Sequence, residues 1–277
     1  MKNFFNKLRQ IYNPSFWILK ELIQKLSKFI DGQVVLKFND FDGKFFIDVR
    51  SDIFFRLIHK GEYEKNLAKL INEYIDINLD VVDVGSNIGL ITVKCAKKIG
   101  AQRKVLSIEP SKSVFNFLKK NLELNGISKR VIIENCAVSD KEEKIRFHTI
   151  EGKEEYSSVY EIEHPSVKNE KKYFEEVYSK KLDNLIFSNE IKPGLIKIDI
   201  EGAEYLALKG CVETIKSFSP VFFIEINIQK NSQDSLKNAK KIFNFFKEFH
   251  YECFDMIKTP VLDISKISSG NFIFLKK

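Results

Sequence analysis

From Val81 onward, short apolar runs alternate with stretches whose apolar residues recur every three to four positions. The runs at 80–84, 104–109, 131–135, 195–199 and 221–226 have the length and composition of buried strands. The stretches at 89–98, 111–125, 203–217 and 233–248 predict amphipathic helices between them. Alternation of this kind builds a parallel sheet with helices on both faces. Two more apolar runs, near 251–257 and 271–276, have no helical pattern between them and predict an antiparallel pair at one sheet edge. The expected fold class is α/β, a mostly parallel seven-stranded sheet with helices on both faces and an antiparallel terminal strand pair.

Ahead of this alternation the pattern changes. Residues 1–30 place Phe4, Phe5, Leu8 and Ile11, then Trp17, Ile18, Leu22, Ile23, Leu26, Phe29 and Ile30, at helical spacing. Pro14 separates the two helical pieces. Val34–Phe38 and Lys44–Val49, joined by Asn39-Asp40-Phe41-Asp42-Gly43, predict a β-hairpin. Residues 62–77 predict a helix. The chain is therefore divided into a helical and hairpin extension over 1–60 and a main domain over 61–277. Residues 150–180, rich in Glu, Lys and Tyr, predict a long irregular region on the side where ligand crevices open, a candidate acceptor-binding lid.

Composition narrows the class. The 277 residues allow one or two domains with an ample core. Cys95, Cys136, Cys211 and Cys253 lie far apart, with no Cys-x-x-Cys pair, and read as reduced core residues of a cytoplasmic protein. Four histidines with no helical pairing do not predict a His-based metal site. No apolar run reaches membrane-span length, and the N-terminus lacks a signal-peptide layout. The net charge is +7, and residues 1–60 hold 11 Lys and Arg against 6 Asp and Glu. Such a basic segment could meet nucleic acid, anionic lipid or an acidic substrate, or be an ordinary solvated surface. As a basic amphipathic element it could lie on the inner face of a membrane, pack on its own domain, or form a homodimer.

The candidate chemistry begins at Val81-Val82-Asp83-Val84-Gly85-Ser86-Asn87-Ile88-Gly89-Leu90. A buried strand ends in Asp-x-Gly-x-Asn-x-Gly and a helix follows. Glycines there let the backbone turn tightly near a ligand, and the helix start is expected to offer free N–H groups. Two glycines four apart do not match the dinucleotide pattern Gly-x-Gly-x-x-Gly. Asp83 fits a cationic ligand end, such as the amino group of S-adenosylmethionine. Glu109 closes the second strand about 20 residues on, where a carboxylate can hold ribose hydroxyls or cap the next helix. After the third strand, Ala137, Val138 and Asp140 flank the place of an adenine, or form an ordinary loop.

The fourth strand, Leu195-Ile196-Lys197-Ile198-Asp199-Ile200, runs into Glu201-Gly202-Ala203-Glu204. The fifth brings Glu225 and Asn227 to the same rim. Converging carboxylates raise one another's pKa unless a cation is shared. One of them could be a general base on an acceptor hydroxyl. Alternatively, Asp199, Glu225 and Asn227 could hold a divalent cation, or Glu201 and Glu204 could simply cap the next helix.

The segment from Gly61 to Asn227 resembles the FkbM-type methyltransferase family. The resemblance rests on Gly61-x-Tyr63-Glu64, Val82-Asp83-Val84-Gly85-Ser86-Asn87-Ile88-Gly89, Ile108-Glu109-Pro110, Ala137-Val138-Ser139-Asp140, Ser157-Ser158, Leu182-Asp183 and Leu195-Ile196-Lys197-Ile198-Asp199-Ile200-Glu201-Gly202-Ala203-Glu204. Ser86 stands where the family often has Ala. The resemblance implies a class I methyltransferase (Rossmann-like) fold, S-adenosylmethionine as cofactor and methyl transfer to an oxygen. It implies that Asp83, Gly85, Asn87 and Gly89, with Ser86 in the same turn, hold the methionine part, with Glu64 near its amino group. Glu109 then takes the ribose, and Asp199 and Glu201 lie near the acceptor. A saccharide, a glycolipid or a small metabolite is the implied acceptor class. Nucleic acid is not expected. The Asn/Asp-Pro-Pro-aromatic turn of base methylation is missing after the fourth strand, and carboxylates there repel phosphate.

Overall fold

The computed structural model describes residues 32–60, 62–150, 157, 171–228, 233–264 and 268–277. The helices expected within 1–30 and most of the expected lid lie outside the described residues.

The hairpin forms as β1 (Gln33–Phe38) and β2 (Gly43–Asp48), paired from Gln33↔Asp48 to Phe38↔Gly43. Alternation along β2 turns Phe45 and Ile47 inward, where Phe45 meets Phe38 edge-on with centroids 5.6 Å apart. α1 (Asp52–Lys60) and α2 (Lys65–Tyr74) follow. The alternating region then gives β3 (Asp80–Val84), α3 (Leu90–Lys98), β4 (Val105–Ile108), α4 (Lys112–Leu124) and β5 (Val131–Glu134). Next come β6 (Ala137–Val138), β7 (Lys144–Ile150), β8 (Lys172–Lys180), α5 (Leu182–Ser188), β9 (Pro193–Ile198), α6 (Glu204–Lys209) and α7 (Val212–Phe218). β10 (Val221–Ile226), α8 (Gln233–Glu248), β11 (Tyr251–Phe254) and β12 (Gly270–Lys276) complete the order.

The main sheet runs β11-β12-β10-β9-β3-β4-β5. β10, β9, β3, β4 and β5 are parallel, and β12 is antiparallel to both β10 and β11. This is the expected mostly parallel seven-stranded sheet with an antiparallel terminal pair.

Strand alternation divides the core. Val81, Val105, Leu195, Phe223 and Ile273 join one apolar cluster with the hairpin, α2, α3 and α4. Their neighbours Val82, Leu106, Ile196, Phe222 and Phe274 join the other, under α5, α6, α7 and α8. The hairpin thus shares its core with the sheet. α4 fastens it: Asn121 takes the Phe46 N–H at 2.7 Å and donates to the carbonyls of Phe46 and Ile88. One buried amide therefore ties the β2 edge to the turn after β3.

Two expectations need correction. Residues 172–180 are not irregular: β8 pairs antiparallel with β7 and parallel with β6 in a small three-stranded sheet. Its alternation was hidden because only Val177 and Ser179 along β8 are buried. The single helix expected over 203–217 is two. The Asp183 carboxylate, from α5, accepts the Glu213 and Thr214 N–H groups, and the Asp183 N–H donates to the Gly210 carbonyl. α7 is capped from outside and α6 ends before it.

Candidate active site

The same alternation that divides the core lays down a polar layer. On the face shared with α2 and α3, the last positions of the parallel strands read Asp83, Ser107, Glu109, Lys197, Asp199 and Glu225. Asp83 lies in register with both Ser107 and Lys197, and Lys197 with Phe223, two residues before Glu225. Above the strand ends is a cavity lined by Arg56, Tyr63, Glu64, Gly85, Ser86, Asn87, Glu109, Ala137, Phe147, Ser157, Lys197, Asp199, Glu201 and Glu225, among others. It sits where open α/β sheets bind their ligands.

The N–H groups of residues 85–89 in the turn after β3 are all taken internally, so any free N–H groups belong to the helix start at Leu90 and Ile91, which also line the cavity. The Ile108 carbonyl accepts from the N–H groups of Gly85 and Ser86, each at 3.0 Å. The Asn87 N–H donates to Glu109 at 2.9 Å, that of Ile88 to Asn87 Oδ1, and that of Gly89 to the Ser86 carbonyl. Residues 85–89 therefore form no anion nest. Gly85 has φ +74°, and a Cβ there would fall 1.9 Å from the Asp199 carbonyl oxygen. The glycine serves the approach of β3 to the end of β9 as well as room for a ligand.

Glu109 is buried, and its second oxygen takes the Ser111 N–H at 2.9 Å. Burial pushes its pKa up to about 7 against the pull of those two N–H groups. Lys197 is 5% exposed; its ammonium lies 3.0 Å from Asp199, 3.4 Å from the Gly85 carbonyl and 4.0 Å from Asp83. Burial alone would lower Lys197, but Asp199, Asp83 and Glu64 outweigh it and hold its pKa above the usual range. Glu201, with φ +49°, accepts the Asn227 amide at 3.0 Å; burial first, then Asp199, pushes it up to about 8. Glu225 is driven by Asp199 first, then by burial, Glu201 and Glu64, up to about 10. Glu64, just before α2 at φ +42°, is raised mainly by burial.

Three expected cofactor residues do not line the cavity. Asp83 is wholly buried beneath it, accepting the Thr92 hydroxyl at 2.6 Å, with the Lys197 ammonium 4.0 Å away. Gly89 caps α3 behind the turn. Asp140 is not among the lining residues and pairs with Lys209. Glu204, weighed above as a cap of the next helix, instead holds the turn ahead of it: it accepts the N–H groups of Gly202 at 2.9 Å and Ile200 at 3.3 Å. Among the described residues no group of three or more His, Cys, Asp or Glu side chains is arranged to hold a metal ion.

Sequence reasoning missed Lys197 as a site residue, although its two-residue spacing from Asp199 signals a shared face. It also missed Arg56, because the helix α1 that carries it was not foreseen.

The model of the methyltransferase FkbM domain matches residues 83–253. The chain belongs to the FkbM methyltransferase family. Its sheet order and antiparallel β12 are those of the class I methyltransferase fold, and its cofactor is S-adenosylmethionine. The methyltransferase FkbM of Methylobacillus flagellatus KT matches at 18% identity with a TM-score of 0.47, over 72% of this chain and 44% of that one. The chain thus spans less than half the length of that protein. An O-methyltransferase from Bacillus cereus in complex with SAH matches at 13% identity and TM-score 0.43, over 96% of this chain and 91% of that one. A SAM-dependent O-methyltransferase from Thermotoga maritima matches at 14% identity and TM-score 0.43, over 77% of this chain and 65% of that one. No protein of curated function matches the chain.

The cavity fits this cofactor. Walls of carboxylate suit its positive charge.

Proposed function

We propose that the protein transfers the methyl group to a hydroxyl oxygen of a saccharide or glycolipid, with a small secondary metabolite as the alternative acceptor. The observation that carries this reading is the convergence of Asp199, Glu201 and Glu225 in one cavity. Carboxylates accept hydrogen bonds from hydroxyl groups, and a hydroxyl acceptor must also lose a proton.

Glu64, Gly85, Ser86, Asn87, Glu109 and Ala137 hold the cofactor in this reading, with Glu109 directed at the ribose. Asp83 and Gly89 support that site from behind. The bound cofactor supplies a methyl group on a positively charged sulfur. The protein aligns the acceptor oxygen with it, which is the main demand of an in-line transfer. Asp199 and Glu201 flank the acceptor. The acidic rim disfavours nucleic acid. Among the described residues no helix is long and apolar enough to cross a membrane. A cytoplasmic enzyme whose residues 1–30 touch the inner membrane face, or a second copy, would suit a membrane-linked glycan.

The test is incubation of pure protein with methyl-labelled S-adenosylmethionine and fractionated extract of its own cells. Label in the glycan or glycolipid fraction, stable to mild base as an ether is, supports the reading. Label in the RNA fraction overturns the acceptor class.

A further inference from the structure

Among the described residues, the cavity holds more acid than its cations can neutralise. Glu64, Glu109, Asp199, Glu201 and Glu225 line it, and Asp83 lies beneath, while Lys197 and Arg56 are the cations in its wall. The acids differ in their partners. Lys197 holds Asp199 at 3.0 Å. Glu109 is occupied by two N–H groups, and Glu201 accepts the Asn227 amide. Glu225, among the described residues, accepts no hydrogen bond. Directly opposite it in the antiparallel β10–β12 pair is Asn271, whose buried Oδ1 has no hydrogen-bond partner among the described residues. Opposed residues of such a pair point to the same side of the sheet. A protonated Glu225 therefore has an acceptor beside it, and no donor to its carboxylate is found among the described residues.

We propose that Glu225 is the proton carrier of the methyl transfer, giving up its proton when the positively charged cofactor binds and taking the acceptor's proton as that charge disappears. The inference rests on the methyltransferase assignment and on an acceptor that carries a proton.

The balance closes. The acceptor oxygen forms a bond to the methyl carbon, and the methyl–sulfur bond breaks with its electron pair going to sulfur. The acceptor O–H bond breaks with its pair staying on oxygen, and the proton goes to the Glu225 carboxylate. Total charge in the cavity stays constant across the step. Asp199 is less suited to carry the proton because its carboxylate is already engaged by the Lys197 ammonium at 3.0 Å. Glu201 already accepts the Asn227 amide and lies lower, at about 8, so it holds its proton less firmly than Glu225. The charged groups facing Glu225 are Asp199 and Lys197 of the β9 end, Glu201 beyond it and Glu64 ahead of α2. From β12 it faces the neutral Asn271.

In the free protein Glu225 sits at about 10 and is protonated near neutral pH. A positive charge within a few ångströms lowers a carboxyl's pKa by about 1–3. Binding near about pH 8 should therefore release a sizeable fraction of one proton, of order one half.

The experiment is titration calorimetry of the full chain at that pH in buffers of differing ionisation enthalpy, with S-adenosylmethionine and with S-adenosylhomocysteine, whose sulfur is uncharged. The expected result is clear proton release with the first ligand in excess of the second. Glu225→Gln should cut the excess by about half, leaving the share of Glu201, while S-adenosylhomocysteine still binds, and Glu225→Asp should retain it. Equal release by the two ligands, or an excess that is undiminished in Glu225→Gln and vanishes in Glu201→Gln, overturns the proposal. Failure of both ligands to bind overturns the cofactor site itself, a distinct outcome.

Discussion

Replacing Lys197 with Met removes the one ammonium that, among the described residues, sits in a buried group of acids, while keeping an unbranched side chain of similar length. Asp83 is 0% exposed, and its Oδ1 has no hydrogen bond among the described residues, so Lys197 at 4.0 Å is its charge partner. Asp199 is better placed, because its side chain is 24% exposed and can gain water. The loss therefore falls mainly on Asp83. Removing one member of a buried ion pair costs about 3–5 kcal/mol, a large part of a typical domain stability of about 5–15 kcal/mol. The melting temperature should fall by roughly 6–15 °C near pH 8.

The deficit should also depend on pH, with a definite sign. Burial raises Asp83 above its unfolded pKa, so over that window the folded state binds more protons and gains stability as pH falls. Without Lys197 that pKa rises further and the window widens upward. The variant's deficit should shrink to about 1–2 kcal/mol near pH 5, because a protonated Asp83 needs no partner. The stabilisation from the raised pKa of Lys197 itself is complete below the unfolded lysine value and is lost only above it, outside this range. Urea unfolding followed by circular dichroism at both pH values measures the deficit. A deficit below about 1 kcal/mol near pH 8, or one equal at both pH values, would refute the reasoning.

Gly85→Ala should destabilise the fold by about 2–4 kcal/mol in thermal unfolding, from positive φ and the clash with the Asp199 carbonyl; an unchanged melting temperature would remove the close approach of β3 and β9. Glu109→Ala should weaken S-adenosylmethionine binding at least tenfold and also cost about 2–4 kcal/mol of stability, because two N–H groups lose a charged acceptor; a calorimetric affinity within twofold of wild type would exclude Glu109 from the cofactor site. Asp140→Ala should leave cofactor affinity unchanged and stability within about 1 kcal/mol, since its pair with Lys209 is partly exposed; a marked loss of affinity would return it to the adenine side.

Much of this protein could be read from its sequence for a local reason. Buried parallel strands are apolar on both faces, so β3, β4, β9 and β10 stand out as continuous runs, and the helices between them keep a 3.6 period. The turn after β3 and the Lys-Ile-Asp-Ile-Glu-Gly-Ala-Glu block place the site at the strand ends, because side-chain alternation fixes which residues share a face. The helices α1 and α5 and the strand β8 escaped, since short or mostly exposed elements carry little periodic signal. What only the tertiary structure decided is who faces whom. Asp83 lies inside the most recognisable motif, yet is covered by Lys197 and Thr92. Asp140 turns to Lys209, which is 69 residues away in sequence. Glu109 spends a lone pair of each oxygen on the backbone around it. Protonation follows the same rule: a carboxylate's charge depends on burial and on neighbours brought in by other strands, and local sequence contains neither.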